Sequence, residues 1–187
     1  VANQLYAIRQ EIVLDGITAV GSTGIEVGFT GGADLAEYYY STQPLEAGEV
    51  VVIDRNGDGD DVMRSQKPYS GGLLGVVSTQ PGLILGLRAE DGFPIALTGR
   101  VPVKFSMENG PVKSGDYLTS ASISGYAMRA TGAGPIIGKA LADSQAIESM
   151  EACPVVDLDL VGDSTKCGYV IIFVEHGNFS GLPIEQL

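Results

Sequence analysis

At 187 residues the chain is long enough for one sizeable core, or for a core with a small appendage. With 44% hydrophobic and only 18% charged residues it is not a disordered chain, and its 26 glycines point to many tight turns. A formal net charge of −12 argues against nucleic acid as a partner, because phosphates require a basic surface, and it suits an extracellular surface or cation binding.

The chain begins at Val1 rather than Met and shows no signal-peptide pattern, which reads as a processed or truncated piece of a longer protein. No apolar run approaches the roughly 18 to 20 residues of a membrane span. The opening "VANQLYAIRQEIVL" predicts the one good helix. Val1, Leu5, Ile8 and Ile12 follow 4-3-4 spacing, an a/d stripe that stops short of two heptads. So short a stub is unstable alone; it either caps a three-chain bundle or docks on its own domain.

From Asp15 the texture changes. Ile25, Val27 and Phe29 alternate with polar or small residues and run into paired glycines, a short-strand pattern. Then "EVVVID", "LLGVVST", "LILGL", "PIALTGRVPVKF", "DYLTS", "YAMRA", "PIIGKAL" and "GYVIIFVE" follow, with glycine or proline in nearly every gap. Only "DSQAIESMEA" among the later segments keeps a trace of helical spacing. The expectation is an all-β domain.

A repeat of long period underlies these strands. "PLEAGEVVVI" (44–53) and "PVKSGDYLTS" (111–120) share a proline and a glycine-acid pair entering a strand. Each leads to a glycine-anchored strand, "GLLGVVST" or "GPIIGKALA", and then to a long apolar one, "PIALTGRVPVKF" or "GYVIIFVE". Such spacing means a duplicated β-unit inside one domain, not a solenoid, and two units closing on each other give a compact β-barrel or β-clip. The expected division is a helix stub and strand extension for assembly at 1–31, and a globular all-β domain at 32–187 with an insertion near 144–167.

The stretch "DRNGDGDD" admits two readings. Asp54, Asn56 and Asp58 at alternate positions, followed by Gly59, match the opening of a calcium loop, and Asp60 and Asp61 are further oxygen donors. The twelfth position, where an EF-hand places a bidentate glutamate, is Ser65. The flanks read as strands and Asn56-Gly57 is a strong hairpin signal. The hairpin turn is the preferred reading, with calcium as the alternative; no other cofactor is expected.

Cys153 and Cys167 bracket "CPVVDLDLVGDSTKC". Two thiols without C-x-x-C spacing suit neither a tetrahedral zinc site nor a redox pair. A disulfide closing a short loop in an oxidising compartment is expected, against the plainer reading of two reduced thiols. Enzyme signatures are scarce: there is one histidine, His176, and no G-x-S-x-G elbow. A Cys167–His176 pair can be drawn only if Cys167 is not oxidised. "GAGPIIG" spaces its glycines wrongly for a phosphate loop, and "NFS" at 178–180 is a formal glycosylation sequon.

The ordered motifs "GADLAEYY", "PLEAGEVVVID", "GVVSTQPG", "PIALTGRVPVKF", "NGPVKSGDYLTSASISGYAMRAT", "GPIIGKALAD" and "GYVIIFV" run from Gly32 to Val174. The run resembles a β-rich C-terminal domain at the ends of long bacterial surface proteins and phage tail-fibre-like proteins. More distantly, "ADLAEYY" and "GVVS" are similar to the self-cleaving chaperone domain of phage neck-appendage proteins. That resemblance implies homotrimeric fibres and cleavage near the domain's upstream boundary. Asp34 and Glu37, in the matching opening motif, are the catalytic candidates it offers; the plain reading is an acid pair at a strand start.

Two functions are therefore expected. The first is a non-catalytic extracellular or cell-surface structural module, self-associating as a trimer or filament, with Val1, Leu5, Ile8, Ile12, Ile25, Val27 and Phe29 making the contacts. The alternative is a self-processing assembly-chaperone domain of a fibre-like precursor.

Overall fold

The structure is a computed structural model that describes residues 17–20, 26–29, 32–57, 61–85, 91–144, 149–154 and 165–181. β1 (Ile17–Val20) and β2 (Glu26–Phe29) form a two-stranded antiparallel sheet with Ile17 opposite Phe29. The strand expected around Val27 and Phe29 is thus β2. Ile25 and the helix expected over Val1–Leu14 lie outside the described residues.

Eleven strands make the main sheet. They are β3 (Ala33–Tyr39), β4 (Val50–Ile53), β5 (Val62–Arg64), β6 (Leu73–Val77), β7 (Leu83–Leu85), β8 (Phe93–Ser106), β9 (Tyr117–Ser120), β10 (Ala127–Arg129), β11 (Gly134–Ala140), β12 (Glu151–Ala152) and β13 (Lys166–Phe179). A 3₁₀ turn, Met107–Asn109, follows β8 and is capped by the Ser106 hydroxyl. The chain is all-β, as its β-rich runs punctuated by glycine and proline predict. Within "DSQAIESMEA" the described end is strand: Glu151 and Ala152 pair with Cys167 and Lys166. No described helix is long and apolar enough to cross a membrane.

The duplication is visible in the pairings. In the first unit β4 pairs with β5 and β6, and β6 with β8, all antiparallel. In the second, β9 pairs with β10 and β11, and β11 with β13, again all antiparallel. The two long closing strands then lie side by side, antiparallel, from Cys167 opposite Ser106 to Val174 opposite Gly99. The Ala127–Phe105 contact between β10 and β8 closes a ring, β8–β13–β11–β9–β10, so these strands present no free edge to one another.

Alternation along the joined strands builds the core. Val101, Val103 and Phe105 of β8 and Val170, Ile172 and Val174 of β13 point inward, onto Leu118 and Ile137. A second cluster, Leu45, Val51, Val62, Val77 and Ile95, lies under the first unit. Burying each of these larger side chains contributes roughly 1.5–3 kcal/mol.

β3 adds to the outside of β8 and carries the short parallel strand β7 on its far edge. Gly99 makes that addition feasible. Its φ is +104°, and a Cβ there would come within 2.4 Å of the Ala33 carbonyl oxygen and 2.6 Å of Asp34 Cα. Only glycine allows the two backbones to approach so closely.

Candidate functional site

Asp34 and Glu37 are not brought together. Asp34 is 6% exposed. Strand alternation sends Glu37 to the other face of β3, where its carboxylate accepts a hydrogen bond from the Tyr39 hydroxyl at 2.9 Å. Among the described residues Asp34 Oδ2 has no hydrogen-bond partner. Burial pushes the Asp34 carboxyl above the usual carboxylate range. Ser78 and the Gly82 amide pull the other way, but with Oδ2 unbonded burial dominates. A buried acid with one orphaned oxygen can hold or give up a proton near its raised pKa; beside it the structure places a hydroxyl and backbone groups.

Above Asp34, on the outward face, Gly32, Ala33, Leu35, Leu83, Thr98, Gly99 and Phe173 line a shallow cleft. The cleft opens onto an apolar stripe. Along β13 the residues between the core positions are Tyr169, Ile171 and Phe173, exposed to 47%, 40% and 42%, with Leu141 beside them at 43%. Leu141 is tied to the stripe through its amide, which donates to the Ile171 carbonyl at 2.9 Å. Phe173 stands between two cations, opposite Arg100 on β8 and Lys139 on β11. A central strand that is apolar on both faces reads as one covered on both. The run "GYVIIFV" carried this signal.

A buried ionic cluster had no local signal. Lys104 points outward from β8 by alternation yet is only 7% exposed, because the turn between β3 and β4 folds over it. Its Nζ reaches Glu46 at 2.5 Å and Glu49 at 3.2 Å, and Arg64 Nε bonds the other oxygen of Glu49 at 2.8 Å. The ring of Tyr126 lies 5.7 Å from the ammonium. Burial pushes Lys104 down, but Glu46 and Glu49 outweigh that and hold it above the ordinary lysine value. The hydrogen bond and charge of Lys104 hold Glu46 below the ordinary carboxylate value. Every charge has a partner, so the cluster fixes the β3–β4 turn to β8.

The loop from Asp54 to Asp61 joins β4 to β5 as a hairpin, with the Asp54 amide donating to the Asp61 carbonyl at 2.8 Å. Asp58 and Asp60 lie outside the described residues. Among the described residues no group of three or more acidic, histidine or cysteine side chains is arranged to hold a metal ion. Asp54 Oδ1 accepts from the Asn56 amide at 2.9 Å, an Asx turn.

Cys153 and Cys167 are bonded, joining the end of β12 to the start of β13. Cys167 is therefore no nucleophile, and His176 bonds the Leu74 carbonyl at 2.7 Å. "GAGPIIG" continues as β11 rather than forming a phosphate loop.

No protein-family model matches the sequence, and no curated protein matches it either. The solved structures similar in fold include two of one phage protein. The C-terminal fragment of bacteriophage phi29 gene product 12 superimposes with a TM-score of 0.46 at 18% identity, over 76% of this chain and 100% of that one. The pre-mature phi29 gene product 12 superimposes with a TM-score of 0.49 at 16% identity, over 86% of this chain. The chain spans only 24% of the length of that second protein.

Proposed function

We propose that the chain is a non-catalytic structural module that self-associates within a fibre, filament or surface assembly, and that the outward face of β13 is where a second copy sits. The observation behind this is the stripe Tyr169, Ile171 and Phe173 on a strand whose other face fills the core. A contiguous exposed apolar patch marks an interaction site more often than a solvated surface. Arg100 and Lys139, the latter 3.8 Å from Glu175, give the stripe a local positive rim on a chain of net charge −12, to which an acidic segment of another copy is complementary. The upstream segment reaches β3 through Gly32, at the lip of the cleft that Phe173 lines. Val1 to Phe29 of one copy then cover the stripe of the next. The disulfide is compatible with an oxidising, extracellular setting for that assembly.

The test is light scattering on the full chain and on Ile171→Asp/Phe173→Asp. Wild type is expected as an oligomer and the double variant as a monomer with unchanged circular dichroism. A monomeric wild type at high concentration overturns the reading.

Self-processing is the second reading, and Asp34 is the observation that favours it: a buried acid with an orphaned oxygen at the start of the domain. A longer precursor purified without host proteases would cleave itself, and Asp34→Ala would stop it. A precursor that stays intact would sink this reading alone.

A further inference from the structure

The sequence holds two Asn-Gly pairs, Asn56-Gly57 and Asn109-Gly110. Such pairs carry latent chemistry. Glycine has no Cβ to obstruct its own nitrogen, so that nitrogen can reach the side-chain carbonyl carbon of the asparagine before it. The reaction needs three things: a side-chain amide free to swing onto the backbone, a glycine N–H not held elsewhere, and water.

The fold denies the first two to Asn109. Its side-chain nitrogen donates to the Arg129 carbonyl at 2.9 Å and to Met128 Sδ at 3.1 Å. Its own carbonyl accepts from Arg129 Nε at 3.1 Å and Nη2 at 2.7 Å. The Gly110 N–H is committed to the Met107 carbonyl at 2.8 Å. Attack on Asn109 would break most of these bonds at once.

Asn56 is held differently. It is exposed at the tip of the β4–β5 hairpin, and no described residue bonds its side chain. Among the described residues, the hydrogen bond to Asn56 fixes its backbone: its N–H donates to Asp54 Oδ1 at 2.9 Å. The Gly57 N–H makes one long contact, 3.3 Å to the Asp54 carbonyl. Asp61 adds a further feature. A Cβ on Gly57 would lie 2.4 Å from Asp61 Oδ2, so the Asp61 carboxylate rests against the glycine.

We propose that Asn56 is a site of spontaneous backbone-assisted deamidation, and that the fold protects Asn109 from the same reaction. The Gly57 nitrogen forms a bond to Asn56 Cγ, the bond from Cγ to Nδ2 breaks, and ammonia leaves with the proton given up by the peptide nitrogen. The product is a five-membered succinimide. Water then opens it. Cleavage of the imide bond at Cγ leaves an aspartate, and cleavage at the main-chain carbonyl leaves an isoaspartate whose chain runs through the former side chain. Nothing is oxidised or reduced, and water is the only co-reactant. Either product adds a negative charge between Asp54 and Asp61, in the loop whose acidic spacing carries the calcium expectation. The isoaspartate also lengthens the hairpin backbone by one carbon.

Peptide mapping with isoaspartate detection tests this on the full, disulfide-bonded chain, held at mildly alkaline pH and sampled over time. Asn56 is expected to convert about tenfold or more faster than Asn109, the rate equivalent of the one or two hydrogen bonds that Asn109 must first break. In the urea-unfolded chain the two sites should convert at similar rates, since both precede glycine. Asn56→Gln should remove the early charge change, because glutamine would have to close a larger ring. Equal rates in the folded chain, or an Asn56 that stays intact while it converts on unfolding, would overturn the proposal.

Discussion

Lys104 and Glu49 form a buried ion pair at 3.2 Å, and Arg64 holds the other oxygen of the same carboxylate. Removing the lysine leaves a carboxylate that stays buried with half its partners. Lys104→Met, which keeps the apolar stem, should therefore cost about 3 kcal/mol in denaturant melts. Adding Glu49→Gln should cost less than the sum of the two single changes, by roughly 1 kcal/mol. The pH dependence follows from the shifts. Lys104 is raised, so its contribution is complete below the unfolded lysine value and fades as pH climbs through the higher folded one. Glu46 is lowered, so its contribution is present above the unfolded glutamate value and fades as pH falls through the folded one. The deficit of Lys104→Met should thus be flat from about pH 5 to pH 10 and shrink on either side. A deficit that does not change with pH would rule out the ionic account.

The disulfide ties a short loop, 14 residues in sequence separation, to the edge of the sheet. Cys153→Ser/Cys167→Ser should lower stability by about 3 kcal/mol, chiefly by freeing the unfolded chain. The core does not depend on it, since Cys167 is the only cysteine among its buried residues and lies at one end of β13. The double variant should keep its β-sheet circular dichroism. An unfolded variant would mean that the bond is needed to form the sheet and not only to steady it.

Much of this architecture was legible because it is local or repeated. β-rich apolar runs punctuated by glycine and proline marked β4, β6, β8, β9, β11 and β13, and the shared Pro…Gly-acid pattern marked two units whose pairings prove equivalent. The two cysteines left one possible bridge. What the sequence concealed is contact made at a distance. Lys104 sits in "PVKF", where alternation sends it to solvent, and it is buried only because Glu46 to Glu49 fold over it. Asp34 reads as a solvated acid at a strand start; it is buried because Gly99, 65 residues later, lets β3 press against β8. Asp34 and Glu37 look like a pair in one dimension and occupy opposite faces in three.

Asp34 gives a second pH test, of opposite sign. Its folded value is raised, so the folded state holds the proton more tightly and this group destabilises the fold as pH rises through the carboxylate range. Asp34→Asn should raise the melting temperature at neutral pH. The gain should vanish below about pH 4, where the carboxyl is protonated in both states. A variant less stable than wild type at neutral pH would show that the charged form is needed and that Ser78 and Gly82 satisfy it.

The loop after β4 keeps its calcium alternative. A bound ion stabilises only the state that binds it, by about 2.7 kcal/mol at a hundredfold excess over Kd. If Asp54 and Asp58 are ligands, Asp54→Ala and Asp58→Ala should each lower the melting temperature in calcium and leave it unchanged in chelator. Wild-type melting curves that coincide in calcium and chelator would leave the plain hairpin.

The strongest test of the assembly model is to remove the segment that one copy is proposed to lend the next. Residues 1–29 combine the a/d stub Val1, Leu5, Ile8 and Ile12 with the β1–β2 hairpin. The stub is too short to be stable alone, whereas the ring of β8, β9, β10, β11 and β13 closes without it. Deleting residues 1–29 should therefore leave a folded β-domain that is monomeric by light scattering, with Tyr169, Ile171 and Phe173 uncovered. That monomer should bind an apolar-surface dye more strongly than the intact assembly does, and Ile171→Asp/Phe173→Asp should remove the excess. Both changes act on one interface, so combining them should weaken association no further than either alone. An oligomer that survives the deletion but not the β13 substitutions would mean that the stripe pairs copies directly, with the N-terminal segment outside the contact.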